Sequence, residues 1–303
     1  MNADTVGRTN ADTVGRTNPG TVGRTNADTV GRTNPGTVGR TNARSRRTAV
    51  AVLVAAGLAV AGCGAGGDRA TGGSADGRVT GTVTVFAAAS LTESFTRIGK
   101  DFEAANPGSR VTLNVAGSSA LANQIIQGAP ADVFASAAPA NMTTVTEAGD
   151  ADGTPSIFAR NQLVIAVPRG NPKAVAGLAD LTGPGVKVAL CASQVPCGAA
   201  ARTALDAAGV ALTPVTLEQD VKGALAKVKL GEVDAALVYR TDTRAASADV
   251  TGVEFPESAR AVNDYPVVAL KDAPNPNGAR AFVAYVRSAP AQAVLAEAGF
   301  QAP

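Results

Sequence analysis

Two serines and a tyrosine stand at the ends of apolar runs in a chain that contains no histidine. Ser90 closes "VTVFAAAS", Ser118 follows "VTLNVAG", and Tyr239 ends "DAALVY"; both serines come just before a helical pattern. A hydroxyl becomes a nucleophile only beside a base. Without histidine the Ser-His-Asp and Cys-His pairs are excluded. No G-x-S-x-G turn surrounds Ser90, and Lys100 falls on the helix that follows, so a secreted serine enzyme is the weakest class of function. Two uses of the serines stay open. One is helix capping, since Ser is a preferred N-cap and Ser90 with Glu93 spells the S-x-x-E box. The other is donation to an anion. Cys197-Gly198 and Asp220-Val221 open further helices, and converging helix N-termini offer free N–H groups and positive dipole ends without any Lys or Arg. Hydroxyls from Ser90, Ser118 and Tyr239 would complete a ring of neutral donors. Such a ring suits a fully ionised tetrahedral oxyanion, which carries acceptors only; Asp220 and Glu93 read as helix-terminal charges.

The elements that must position these groups alternate. "TVTVFA" is rich in strand formers, and Leu91, Phe95, Ile98 and Phe102 then recur at helical spacing until Asn106-Pro107-Gly108. "RVTLNV" alternates with period two, a helix carries Leu121 and Ile125, and "ADVFAS" is again a strand followed by a helical stretch. The order β-α-β-α-β implies a parallel, doubly wound sheet. The same grammar restarts after "NQLVIAVP": strand "VKVALC", a helix from Gly198 to Ala208, strand "TPVTL", a helix from Val221 to Leu230 and strand "DAALVY". "YPVVAL" and two helices close the chain. The fold class is therefore α/β, with two doubly wound lobes joined by two crossovers: lobe 1 from 82–161 and 264–303, lobe 2 from 162–263. Ligands of such sheets bind beyond the carboxyl ends of the strands, which places a cleft between the lobes.

The first eighty residues have another character. Residues 2–41 are five octads of the forms "NADTVGRT" and "NPGTVGRT", too short in period and too polar for a solenoid. Residues 1–43 read as a disordered arm, either a secreted adhesive repeat or translation from a start codon placed too far upstream. The second is favoured, because a targeting signal follows the arm rather than preceding it. That signal spans 44–62: Arg44, Arg46 and Arg47 precede the apolar run Ala49 to Ala61, shorter than the roughly 20 residues a membrane-spanning helix needs. It ends in Val60-Ala61-Gly62-Cys63, which resembles a bacterial lipobox, so Cys63 is the expected lipidated residue. Gly62, Gly64 and Gly67 also fit G-x-G-x-x-G, but the strand and helix that motif requires are missing. Residues 63–81 read as a flexible tether.

Composition narrows the class further. With 45% apolar residues the chain buries a sizeable core, and a net charge of +2 with scattered basic residues leaves no footprint for nucleic acid. Aromatic residues are only 4%, too few for base-stacking platforms. Three cysteines make an odd count, resolved if one is modified and two pair.

"VTVFAAASL", "GSSALANQI", "GAPADVFASA", "QVPCGAAA", "EQDVKGALAKV" and "ALVY" resemble, in order and spacing, the periplasmic molybdate-binding proteins of bacterial ABC transporters, over nearly all of 82–303. The resemblance implies a type II periplasmic binding protein fold. It also implies a ligand set of hydroxyls from Ser90, Ser118 and Tyr239 with backbone amides of Cys197 and Val221, and no direct metal ligand or cofactor. The family often has Ala at the position of Cys197; only the backbone is used there. In an oxidising compartment a disulfide between Cys191 and Cys197 is expected, stiffening the loop "ASQVP", with two buried free thiols as the alternative. The implied function is an extracytoplasmic, lipid-anchored receptor. It captures molybdate and tungstate for an ABC-transporter permease, is not an enzyme, and acts as a monomer on the outer face of the cell membrane. A receptor for sulfate or another oxyanion is the alternative.

Overall fold

The strand propensities at Val83 and the helical spacing from Leu91 both become real elements in the computed structural model, which describes residues 79–303. The octads, the signal segment, Cys63 and the tether up to residue 78 lie outside the described residues. Strand β1 (Gly81–Ala88) passes through a short 3-10 turn into helix α1 (Thr92–Ala105). Leu91, Phe95, Ile98 and Phe102 are all essentially buried, so the four-three-four spacing is the core-facing stripe of α1. Then come β2 (Ser109–Ala116), α2 (Ser118–Ile126), β3 (Val133–Ala135) and α3 (Pro139–Glu147). The chain crosses to lobe 2 through β4 (Ala151–Asn161) and β5 (Leu163–Pro168). It builds β6 (Val188–Cys191), α4 (Pro196–Ala208), β7 (Thr216–Glu218), α5 (Val221–Lys229), β8 (Ala235–Tyr239), α6 (Arg240–Ala245) and β9 (Val250–Val253). It returns as β10 (Asn263–Leu270) and ends in α7 (Pro276–Val286) and α8 (Ala289–Ala298).

Each lobe is a five-stranded mixed sheet with flanking helices, in the orders β2-β1-β3-β10-β4 and β7-β6-β8-β5-β9. The expected parallel grammar holds for β2-β1-β3 and for β7-β6-β8. The strands that carry the crossovers run the other way: β10 lies antiparallel between β3 and β4, and β5 antiparallel between β8 and β9. Sequence reading missed β4, β9 and α6. "ADGTPSIFARN" carries Gly153 and Pro155, which argue against a strand. It is tolerated because β4 is an edge strand whose ladder is completed by β10. The core of lobe 1 is aromatic: Phe95, Phe102, Phe158, Tyr265 and Phe282 meet in tilted and edge-to-face pairs with centroids 5.2–6.3 Å apart.

The two lobes touch. Ala89, at the end of β1, packs into the apolar core of lobe 2. Gly117, which precedes α2, faces the backbone just before α5 so closely that a β-carbon there would stand 2.4 Å from the Gln219 carbonyl oxygen. Its φ of −60° is ordinary, so Gly is required there by the approach of the other lobe and not by backbone conformation. An ion cluster spans the same seam. Lys222 Nζ of α5 donates to both carboxylate oxygens of Glu93 on α1 at 2.9 Å, and stands 3.1 Å from Asp242 Oδ1 as an ion pair out of line for a hydrogen bond. Asp242 is buried, and its other oxygen accepts the Tyr239 N–H at 3.1 Å at the start of α6.

Burial pushes the Asp242 carboxyl up to about 6; Lys222 and the Tyr239 N–H oppose that rise, and Glu93 adds to it. Lys222 itself is raised by Asp242 and Glu93 against the burial that would lower it. A carboxyl raised in the folded state from its ordinary value of 3.8 adds stability that is full below that value and lost as pH climbs through about 6. Lys222→Met removes the opposing cation, so the loss should extend to higher pH. Melting curves should show the substituted protein less than about 1 kcal/mol weaker at pH 5. At pH 8 the deficit should approach the low end, about 3 kcal/mol, of what breaking a buried pair costs. An equal deficit at both pH values would mean that Lys222 does not govern Asp242.

Candidate functional site

Ser90, Ser118, Cys197, Val221 and Tyr239 come from five separated stretches of sequence and line one small cavity of about 10 Å³ at the seam. All five are at most 4% exposed. Lobe 1 supplies Ser90 and Ser118 from the ends of β1 and β2, and lobe 2 supplies the N-termini of α4 and α5 and the end of β8. No Lys or Arg lines the cavity; Lys222, next in chain to Val221, is turned to Glu93 and Asp242.

The capping use expected for the serines is not what the structure shows. The N-cap of α1 is Leu91 and that of α2 is Gly117, and neither helix has a side-chain cap bond. Glu93 does not close a box with Ser90, because its carboxylate is drawn across the seam to Lys222. Asp220, by contrast, is the terminal charge it was read to be, capping α5 by accepting the Gly223 N–H at 2.9 Å.

Each hydroxyl instead faces other partners. Ser118 Oγ accepts the Ala137 N–H at 3.0 Å, and a backbone N–H cannot accept in return, so the Ser118 hydrogen is free to point elsewhere. Ser90 Oγ shares a 2.8 Å hydrogen bond with the Tyr265 hydroxyl. The Tyr239 hydroxyl is buried with no hydrogen-bond partner. Burial raises it well above the ordinary phenol range, and Tyr265 and Asp242 raise it further, so it stays protonated. An unpaired buried hydroxyl costs roughly 1–3 kcal/mol, a penalty that an acceptor entering the cavity removes.

The amides follow from helix geometry. The first N–H groups of a helix have no intrahelical acceptor. Asp220 takes the Gly223 N–H and leaves that of Val221 free of any side-chain cap. In α4 the first position is Pro196, which has no N–H, so Cys197 is the first donor. A disulfide joins Cys197 to Cys191 at the end of β6, with Cα atoms 5.8 Å apart. The bridge pins the turn "ASQVP" that presents this amide. Gly198 completes the fit, since a β-carbon there would fall 2.0 Å from the Ala192 carbonyl oxygen.

Sequence reasoning missed Tyr265, Asn161 and the Ala137 amide. "YPVVAL" carries only a strand signal. The available signal was rarity: the chain has three tyrosines, and Tyr239 and Tyr265 are the two that are fully buried. Among the described residues, no group of three or more Cys, Asp and Glu is placed to hold a metal ion, and no helix is long and apolar enough to cross a membrane. The cavity gathers hydroxyl and amide donors from both lobes, with Asp220 the one charged residue in its lining, and such donors suit an acceptor-rich anion.

Comparison with known proteins agrees with this geometry. Residues 83–301 match the family described as bacterial extracellular solute-binding protein. The molybdate-binding protein ModA of Mycobacterium tuberculosis is 46% identical over 248 residues, covering 81% of this chain and 95% of that protein. The molybdate-binding protein ModA of Escherichia coli is 32% identical over 230 residues, covering 73% and 89%. Among solved structures, the periplasmic molybdate-binding protein of Azotobacter vinelandii superposes with a TM-score of 0.64 at 21% identity, covering 73% of this chain and 99% of that one, a likeness of fold. The chain belongs to the bacterial extracellular solute-binding proteins.

Proposed function

We propose that this protein captures molybdate, and tungstate with it, outside the cytoplasm and delivers it to an ABC-transporter permease. The observation that carries the reading is the buried, unpartnered Tyr239 hydroxyl facing the same cavity as Ser118, whose oxygen already accepts the Ala137 N–H and whose hydrogen is free. Three hydroxyls and the amides of Cys197 and Val221 would hold the four oxygens of a tetrahedral dianion, and the two helix N-termini would supply the positive field. Relatives that bear the name molybdate-binding protein support the choice of anion. Sulfate has the same charge and shape, so rejection of it rests on size.

Binding closes the lobes, because donors from both must reach one small ion. The closed form is what the permease reads, and one copy of the chain suffices. The site performs no reaction: the neighbour of Ser90 is a tyrosine hydroxyl that burial keeps protonated, not a base. The mature chain begins at a lipidated Cys63 and is anchored to the outer face of the cell membrane.

Calorimetric titration of the purified protein should give tight one-to-one binding of molybdate and weak or absent binding of sulfate. Equal affinities would make it a general oxyanion receptor, and no binding of either would sink the reading. Tyr239→Phe should weaken molybdate binding about 10- to 150-fold, the worth of a hydrogen bond to a charged group, while leaving the empty protein as stable or up to about 1 kcal/mol more stable. A substitution that lowered both equally would point to packing alone. Gly117→Ala should leave the far-ultraviolet circular dichroism unchanged yet cost roughly 1–3 kcal/mol of closure, about 5- to 150-fold in Kd. Unaltered affinity would show that the lobes need not meet at Gln219.

A further inference from the structure

We infer that Tyr265 and Asn161 form a one-way hydrogen-bond relay that sets Ser90 as a donor toward the cavity, which makes Tyr265 a positioning residue for anion binding. The inference rests on the ligand site proposed above. Its direction can be read from groups that have no choice. The Gln162 N–H donates to Asn161 Oδ1 at 3.0 Å. This settles which way the Asn161 amide faces, so its Nδ2 group, a donor only, lies toward Tyr265 and Thr241. Nδ2 donates to Thr241 Oγ1 at 2.8 Å and to the Tyr265 hydroxyl oxygen at 3.5 Å.

The Tyr265 hydroxyl lies 2.8 Å from Ser90 Oγ, a bond in which either oxygen could donate; in the relay Tyr265 accepts from Asn161 and gives its own hydrogen to Ser90 rather than to the neighbouring Tyr239 hydroxyl. Ser90 then has its accepting side occupied and its hydrogen left to point into the cavity. Burial raises Tyr265 well above the ordinary phenol range, so the proton the relay needs stays in place at any pH the protein meets. Ser118 reaches the same state through the Ala137 N–H. Each serine thus accepts one hydrogen bond from behind and keeps its own hydrogen for the ligand. A fully deprotonated oxyanion takes a donated hydrogen from each serine.

The relay also has a position in the fold. Asn161 is the last residue of β4, where the first crossover leaves lobe 1, and Tyr265 is the third residue of β10, where the second crossover re-enters it. Thr241 follows Tyr239 by two residues in lobe 2. One amide at the end of the first crossover thus bonds a residue of each lobe, Tyr265 in lobe 1 and Thr241 in lobe 2.

The test is calorimetric titration of molybdate into the whole protein in three forms: unsubstituted, Tyr265→Phe, and with 4-aminophenylalanine at 265, which restores a donor of nearly the same size. The ring packs edge-to-face against Phe158, Tyr239 and Phe300, and all three forms keep it, so the empty proteins should melt within a few degrees of one another. Tyr265→Phe should raise Kd about tenfold, and the amino ring should return it to within about twofold. The same Tyr265→Phe change made on Ser90→Ala should cost less than twofold, because the relay then has nothing to orient. No loss with Phe, no rescue by the amino group, or an equal loss with and without Ser90 would each overturn the relay. If the unsubstituted protein binds no molybdate, the site reading itself fails, an outcome distinct from these.

Discussion

A small anion enclosed away from water must find a donor for every lone pair it turns toward the protein, and nothing in this cavity supplies a full positive charge to soften a mismatch. The architecture around the seam answers that single demand. Ser118 accepts one hydrogen bond from behind, Ser90 shares one with Tyr265, Tyr239 is left without one, and the amides belong to helix starts where no carbonyl competes for them. A lysine in the cavity would bind dianions more strongly and less selectively, since a point charge does not ask where protons are. Here the nearest lysine is held outside by two carboxylates.

Holding donors in fixed directions requires rigid supports, and the fold provides them at strand ends and helix starts. The 191–197 bridge and the close approach at Gly198 hold one amide, the Asp220 cap shapes the helix start at another, and the aromatic cluster of lobe 1 grips the Tyr265 ring. The seam itself is held lightly. Glu93 is half exposed, and ion pairs with exposed partners contribute about 0–1 kcal/mol. Weak closure contacts suit a receptor that must open again, because a latch worth several kcal/mol would close the lobes whether or not the cavity is filled.

Much of this was legible in the residues. The strand-to-helix junctions at Ser90 and Ser118, the helix starts at Cys197 and Val221, and the strand end at Tyr239 follow from local patterns, and local patterns survive folding. What could not be read locally was partnership. Ser90 followed by Glu93 has the spelling of a capping box, yet the serine bonds a residue 175 positions away and the glutamate one 129 positions away. Strand β4 was invisible because Gly153 and Pro155 weaken it on its own; its identity is conferred by β10. The family resemblance supplied the ligand set, but not Tyr265 or Asn161, whose roles appear only when the two crossovers are seen side by side.

Strand β10 has a further consequence. It lies inside the sheet of lobe 1, between β3 and β4, although it is written after all of lobe 2. While the chain is being made or exported, lobe 1 therefore waits with two strand edges unpaired until more than a hundred further residues have emerged, whereas the five strands of lobe 2 are contiguous in sequence and can pair without help. Long-range pairing of that kind is slow and leaves apolar edges open to other chains. The order of synthesis thus favours the second lobe finishing first, with the first lobe completed around the crossovers that later serve as its hinge.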